Sequence, residues 1–265
     1  MQKAFVTKQT ILDGLLELGL REGDLVFAHG SLSRFGFVEG GEETVIQALL
    51  EAVGPTGTLA MPGFTFQLNT EPEPVFDVLN TPCWVGRIYE TFRTRHAAYR
   101  SHHCTHSVCA VGQRARELTA THSLTPCGAT SPFPKLAHWG GKILFMGVSL
   151  NCNTTFHAVE EQESLFYMDF RDLPGATIVD EDGRKRPLPT RIHKPLRSYD
   201  FNRMDEPLTR EGIQRQRPVG DAIVRCVQAG PMFDYAVEAV RRDPEALLKQ
   251  GEERIDIPVG RHPGG

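Results

Sequence analysis

The sequence predicts an α/β domain with a small inserted subdomain, on three observations. The chain has 265 residues, long for one small domain and short for two large ones. A strand–loop–helix–strand unit spans residues 24–62, and such units cross over right-handed to make parallel strands. A third strand, "KILFMGV", is apolar throughout, as expected for a strand covered on both faces. Hydrophobic residues make up 40% of the chain, enough for a substantial core.

The elements follow in order. Residues 9–20, "QTILDGLLELGL", carry leucines at helical spacing and then a glycine, Gly19. "DLVFAH" is a short apolar run bounded by turn residues, a buried strand. After the loop "GSLSRFGFVEGG", the helix "EETVIQALLEAVG" places Val45, Ile46, Leu49, Leu50 and Val53 on one face and stops at Gly54-Pro55. "TGTLAMPGF" is the second strand. The carboxyl ends of both strands, near His29-Gly30 and Pro62-Gly63, are expected on one edge of the sheet, where ligands bind in open α/β sheets. Residues 67–83, rich in Pro, Asn, Asp and Glu, read as a surface loop. "VGRIYETFRT" is a helix, "SVCAVG" a strand, Arg114–Thr119 a helix and 121–134 a loop. "KILFMGV" precedes the helix "NTTFHAVEEQE". Residues 170–206, with the turn "DEDGRK", form a β-rich insertion or lid. The segment from "VGDAIVRC" to "DPEALL" reads as helical and amphipathic. The domain is expected to be single, spanning 1–265.

Several function classes are set aside. The formal net charge is −4 with no block of five or more like charges, which argues against nucleic-acid or anionic-membrane binding. No apolar stretch approaches the roughly 18–20 residues that span a bilayer. "MQKAFVTKQT" lacks a hydrophobic signal region, so a soluble, cytoplasmic protein is expected. The cysteines at 83, 104, 109, 127, 152 and 226 form no C-x-x-C pair, and reduced thiols are expected.

Three clusters carry chemistry. In "NTTFHAVEE", Asn153 or Thr154 can cap the helix, and both Glu160 and Glu161 share a face with His157. Either carboxylate can fix one imidazole nitrogen and leave the other to accept a proton. A surface pair is the bland alternative. "RSHHCTHSVCAVG" crowds His102, His103, Cys104 and His106 into five residues, where zinc ligand sets come from separated pairs. A turn lining a cleft is favoured over a zinc site or a Cys104 nucleophile. "HGSLSRFGFVEGG" has neither a Walker nor a GxGxxG pattern, but Ser31, Ser33 and free N–H groups suit phosphate or amide binding.

Taken together and in this order, "HGSLSRFGFVEGGEETVIQALLEAVGPTGTLAMPGFT", "TPCWVGRIYETFRT", "YRSHHCTHSVCAVG", "GATSPFPKL", "GGKILFMGVSLNCNTTFHAVEE" and "VGDAIVRC" resemble the aminoglycoside 3-N-acetyltransferase family, from about residue 8 to 240. The resemblance implies a three-layer α/β/α fold with a central, mostly parallel sheet and a smaller subdomain. It implies transfer of acetyl from acetyl-coenzyme A to an amine of an aminoglycoside, the 3-amino group of 2-deoxystreptamine, and hence antibiotic resistance. No metal is expected, and the partner is a small-molecule amine. The family pattern N-T-x-x-H-x-x-E falls on Asn153, Thr154, His157 and Glu160, which makes His157 the general base and Glu160 its orienter. H-S-S-L-S falls on "HGSLS" and points to Ser31 and Ser33 as coenzyme contacts. R-S-x-H-P-T-H-S adds Arg100 and Ser107, and Thr81 opens "TPCWVGRIYETFRT". Gly30 stands where the family has serine and Cys104 where it has proline, both in segments expected on the acyl-donor side. A polyamine substrate needs an acidic mouth, for which Glu161, Glu163, Asp169 and Asp172 are the candidates. The alternatives are an acyltransferase for another amine or acyl donor and, from another class, a zinc-dependent hydrolase built on His102, His103, His106 and Cys104.

Overall fold

The computed structural model describes residues 3–251. Its chain opens with β1 (Phe5–Val6) and α1 (Lys8–Glu17), then runs β2 (Leu25–Gly30), β3 (Phe37–Val38), α2 (Gly41–Val53) and β4 (Thr58–Pro62). Next come β5 (Val75–Asp77), α3 (Arg87–Arg95), β6 (Tyr99–Arg100), β7 (Val108–Gly112), α4 (Ala115–Thr119) and α5 (Pro132–His138). β8 (Lys142–Met146) leads into α6 (Thr154–Gln162). Four short strands follow: β9 (Met168–Asp172), β10 (Thr177–Val179), β11 (Lys185–Pro187) and β12 (Arg191–Pro195). α7 (Asp205–Arg210), β13 (Gln214–Val219), β14 (Ala222–Gln228) and α8 (Ala229–Arg242) complete it.

Seven strands form the central sheet, in the order β13-β14-β8-β2-β4-β7-β6. Only β8–β2 and β2–β4 pair in parallel; the four outer pairings are antiparallel. The sheet is therefore mixed, and the expectation of a mostly parallel one is corrected. A parallel neighbour needs a crossover, and β2–α2–β4 has one. β13 and β14 are instead joined by the two-residue turn Gly220-Asp221, with Gly220 at φ +59°. That hairpin also corrects the helical reading of residues 219–228. Ala222, Val224 and Cys226 are buried in alternation, a period of two, and α8 starts only at Ala229. Residues 67–83 likewise contain a strand, β5, whose Phe76 is fully buried and which pairs with β10.

Alternation along β2 divides the core. Leu25 and Phe27 pack with Phe133, Leu136, Phe156 and Met232, from α5, α6 and α8. Val26 and Ala28 pack with Ile11, Leu15, Val45, Leu49 and Phe92, from α1, α2 and α3. Helices thus cover both faces of the sheet. β5, β10 and β11 form one small sheet and β9 with β12 another, outside the central one. Their apolar residues Phe76, Ile178, Leu188 and Ile192 cluster separately, together with Cys104.

The parallel centre has the consequence that matters for function. β8, β2 and β4 point the same way, so the turns after Gly30, Pro62 and Met146 emerge on one edge. A cleft opens there.

Phe27 is 2% exposed at the middle of the central strand. Phe27→Ala is expected to cost about 3–5 kcal/mol, the usual range for emptying an aromatic site in a packed core. Urea unfolding followed by circular dichroism measures it.

Candidate functional site

The cleft has a volume of about 1240 Å³ and is lined by the ends of the parallel strands. His29 to Arg34 come from the β2 end, Pro62, Phe64 and Phe66 from the β4 end, and Gly147 to Ser149 from the β8 end. His157, Tyr199 and the β14 residues Ala222, Ile223 and Arg225 close it.

His157 enters on α6. Asn153 caps this helix, its side-chain oxygen accepting from Thr155 N. The cap fixes where the helix starts, and so which residues face the cleft. His157 Nδ1 lies 2.5 Å from Glu160 Oε2, one helical turn on. Glu160 is 1% exposed and His157 8%, so the pair is buried with only the imidazole rim facing the cleft. The Tyr167 hydroxyl donates to the other carboxylate oxygen at 3.1 Å. A neutral His157 therefore carries its proton on Nδ1, toward Glu160, and keeps Nε2 as a proton acceptor. Rings box the imidazole in: Tyr199 and Phe201 edge-on at 5.3 and 5.1 Å, and His193 at 4.9 Å between centroids.

Glu161 points elsewhere. Its carboxylate takes hydrogen bonds from Thr125 Oγ1, Cys127 N and His193 Nε2. Burial alone would raise this carboxyl; the three donors overcome burial and hold it below the usual range. Burial also keeps the His193 imidazole below its ordinary value, against the pull of Glu161. Adjacent glutamates thus serve two different histidines, one on α6 and one on β12.

Of the residues the resemblance assigns to the coenzyme, Ser31 and Ser33 line the cleft, with their hydroxyls 3.2 Å apart. Thr81, Arg100 and Ser107 do not line it. Arg100 is buried and donates to Ser107 Oγ and to the carbonyls of Gly63, Val78 and Thr81. Ser107 Oγ donates to Gly63 O at 2.6 Å, and Thr81 Oγ1 accepts from Asp77 N. The three form a brace under the turn after β4. The four acidic candidates do not line the cleft either. Glu161 is sequestered as described, Glu163 pairs with Arg241, Asp169 accepts from Phe170 N, and Asp172 pairs with Arg191.

Gly30 packs closely on Met146. A Cβ there would sit 2.9 Å from Met146 Cε and 3.2 Å from its Cβ, so Met146, its parallel neighbour, occupies the space. The Gly30 backbone is held by Tyr89, whose hydroxyl accepts from Gly30 N and donates to Gly30 O. Cys104 is fully buried in the small apolar cluster beside Phe76, away from the cleft, and burial pushes its thiol up to about 12.

The histidines of "SHHCTH" do not converge on one point. His102 meets Glu181 near the surface. His103 Nδ1 accepts from the backbone N–H of Thr105 and of His106, and His106 Nδ1 meets Thr105 Oγ1 at 2.8 Å. Among the described residues the one set of ligand atoms within 4.8 Å of one another is Cys127, Glu161 and His193. Its His193–Glu161 contact, at 2.6 Å, is a direct hydrogen bond.

Sequence reasoning misses Tyr167, His193 and Tyr199, which shape the His157 environment from beyond its helix; no local pattern marks them. His29 reads in the sequence only as a strand end. It is buried against Phe145 with stacked rings 5.3 Å apart, and its Nε2 has no hydrogen-bond partner. Burial lowers its pKa to about 3.

Comparison with known proteins gives consistent matches. The family model described as aminoglycoside 3-N-acetyltransferase matches residues 27–241. Aminoglycoside N(3)-acetyltransferase IX of Micromonospora chalcea is 28% identical over 285 residues, covering 92% of this chain and 95% of its own. Aminoglycoside N(3)-acetyltransferase III of Salmonella sp is 35% identical over 229 residues, covering 78% of this chain and 76% of its own. A solved structure, a mutant of aminoglycoside acetyltransferase AAC(3)-IVa in complex with a gentamicin, superposes with a TM-score of 0.80 at 26% identity, covering 94% of this chain and 93% of that one.

Two histidines, His29 and His122, set an acid limit. His29 is lowered to about 3 and His122 to about 4, both by burial, from an ordinary 6.5. Between those values the unfolded chain binds more protons, so stability falls as pH drops. The contribution is complete above pH 6.5 and is lost as pH falls toward 3–4. Thermal melts are expected to be flat from about pH 8 to 7 and to decline from about pH 6.5. His29→Phe, which keeps the ring packing, is expected to make that decline shallower.

Proposed function

The chain belongs to the aminoglycoside 3-N-acetyltransferase family, and from that membership we propose that it moves an acetyl group from acetyl-coenzyme A to an amine by direct transfer. The observation that carries this reading is the buried His157–Glu160 pair at the strand-end cleft.

Donor thioester and amine bind together in the cleft. The neutral amine nitrogen attacks the thioester carbonyl, and its proton passes to His157 Nε2. The C–N bond forms, the C–S bond breaks, and the proton goes on to the departing thiolate, leaving the amide and free coenzyme A thiol. Glu160, held by Tyr167, balances the imidazolium formed on the way. Holding both reactants in one cleft supplies proximity, and no covalent enzyme intermediate is needed. Ser31 and Ser33 hold the pantetheine arm at the end of β2. Arg100, Ser107 and Thr81 act through the Gly63 turn as positioning residues. The 170–206 insertion supplies Tyr199 as a wall or lid over His157. The names of the relatives point to an aminoglycoside amine as the first acceptor class to assay, in this reading the 3-amino group of 2-deoxystreptamine.

Thiol release from acetyl-coenzyme A across an amine panel tests the reading. With the amine that turns over fastest, His157→Ala is expected to lower kcat by roughly 10²–10⁴-fold. Glu160→Gln keeps the shape but removes the charge, and is expected to lower kcat with little change in the KM for acetyl-coenzyme A. Unchanged turnover in His157→Ala would contradict the assignment.

A further inference from the structure

We propose that His29 is a second catalytic histidine, whose ring N–H donates a hydrogen bond to the thioester carbonyl oxygen as that oxygen takes up negative charge. The proposal rests on the acyl-transfer reading above and fills a role that reading leaves open. When the amine nitrogen attacks, an electron pair of the C=O bond moves onto oxygen. His157 and Glu160 handle the proton of the amine, not that charge.

An unpartnered ring is the first argument. Buried polar groups are hydrogen-bonded as a rule, and an exception calls for an explanation. His29 is 3% exposed, and its Nε2 is enclosed without a partner. Nδ1 has no hydrogen-bond partner among the described residues either, and it is not enclosed as Nε2 is. His29 lines the cleft, so Nδ1 is the nitrogen that a ligand can meet. The ring's own surroundings are aromatic, with Phe145 stacked at 5.3 Å and Phe27 edge-on at 4.9 Å. Phenylalanine suits such a slot better than imidazole unless a ligand takes the hydrogen bond.

Placement is the second argument. His29 follows Phe27 by two residues on β2, so both side chains point to one face of the sheet. On that face Phe27 packs with Phe156, the neighbour of His157 on α6. The two histidines therefore meet the cleft from one side, His29 from the end of β2 and His157 from α6. Ser31, which holds the pantetheine arm in the reading above, lies two residues beyond His29. The arm ends in the thioester, so a donor held at Ser31 and deacylated beside His157 carries its carbonyl past His29.

The ring suits the task. Burial keeps it neutral, lowering its pKa to about 3. A neutral imidazole has one N–H to give, and His29 does not compete with His157 for the proton of the amine. The backbone beside it is fixed: the Tyr89 hydroxyl bonds both Gly30 N and Gly30 O, and Ser31 N donates to Met146 O at 2.9 Å. A donor set in place before the reaction stabilises developing charge without reorganisation. His29 transfers no proton. The C–N bond forms, the His29 N–H holds the tetrahedral oxyanion, and the C=O bond re-forms as the C–S bond breaks. The thiolate then takes the proton from His157.

The test uses the purified full chain, acetyl-coenzyme A and the amine that turns over fastest, in the parent and in His29→Phe, with folding checked by thermal melt. His29→Phe keeps the ring packing and removes the N–H. It is expected to lower kcat by roughly 10²–10³-fold, the usual loss for one oxyanion donor, with the KM for acetyl-coenzyme A unchanged. The second readout is the infrared carbonyl stretch of bound carbon-13-labelled acetyl-coenzyme A. It is expected at lower frequency in the parent than in free acetyl-coenzyme A, and to return toward the free value in His29→Phe. Unchanged kcat in His29→Phe, or one carbonyl frequency in both proteins, overturns this proposal and leaves acyl transfer standing. If His29→Phe does not fold, His29→Leu is read in the same way, and an unshifted carbonyl in the bound parent overturns the proposal without any variant. Absence of thiol release with every amine in the parent overturns the acyl-transfer reading and this proposal with it.

Discussion

The hydrogen bond between His157 Nδ1 and Glu160 organises the site. Both groups are buried, and a buried carboxylate without partners is costly. Here one oxygen takes the imidazole and the other the Tyr167 hydroxyl. This arrangement fixes the tautomer, and the tautomer decides which nitrogen faces the cleft. Asn153 capping α6, the rings of Tyr199 and Phe201, and the anchoring of Glu161 by Thr125 and Cys127 all hold that one bond in place. Two neighbouring glutamates on one short helix are thereby given separate work. Glu160 holds His157, and Glu161 ties α6 to the 121–130 loop and to β12.

The site exists because three parallel strands end together. β8, β2 and β4 deliver the His29–Arg34 loop, the Pro62–Phe66 turn and the approach to α6 to one edge. The outer strands need not be parallel for this, and they are not. The antiparallel β13–β14 hairpin adds Asp221 to Ile223 and Arg225 to the cleft's far side, and Ser107, just before β7, braces the turn after β4.

Much of this is legible in the sequence, for definite reasons. "ILFMGV" and "LVFA" are unbroken apolar runs, as expected of strands covered on both faces, so the sheet centre and the edge where the cleft opens can be placed. The helix after β8 is marked by its cap, and His157 by its spacing; the choice of Glu160 over Glu161 comes from resemblance, since both spacings fit one helical face. The hairpin at 214–228 escapes sequence reading because "AIVRCVQ" runs directly into an amphipathic helix, and its period of two is absorbed into the longer pattern. Arg100, Ser107 and Thr81 look like ligand contacts, yet their polar atoms turn inward to the Gly63, Val78 and Asp77 backbone, a choice no local pattern encodes. The four acidic candidates lie off the cleft lining for a related reason: sequence gives the charges but not the partners, and Glu161 and Glu163 already have His193 and Arg241.

The central claim is about a proton, and it can be observed directly. Nitrogen-15 NMR of the imidazole side chains, with His157 assigned by substitution and followed through its titration, reports which ring nitrogen carries hydrogen. The account predicts that the neutral His157 ring is protonated on Nδ1 and takes its second proton at Nε2, and that this preference weakens in Glu160→Gln. A neutral ring protonated on Nε2, with Nδ1 bare, would contradict it.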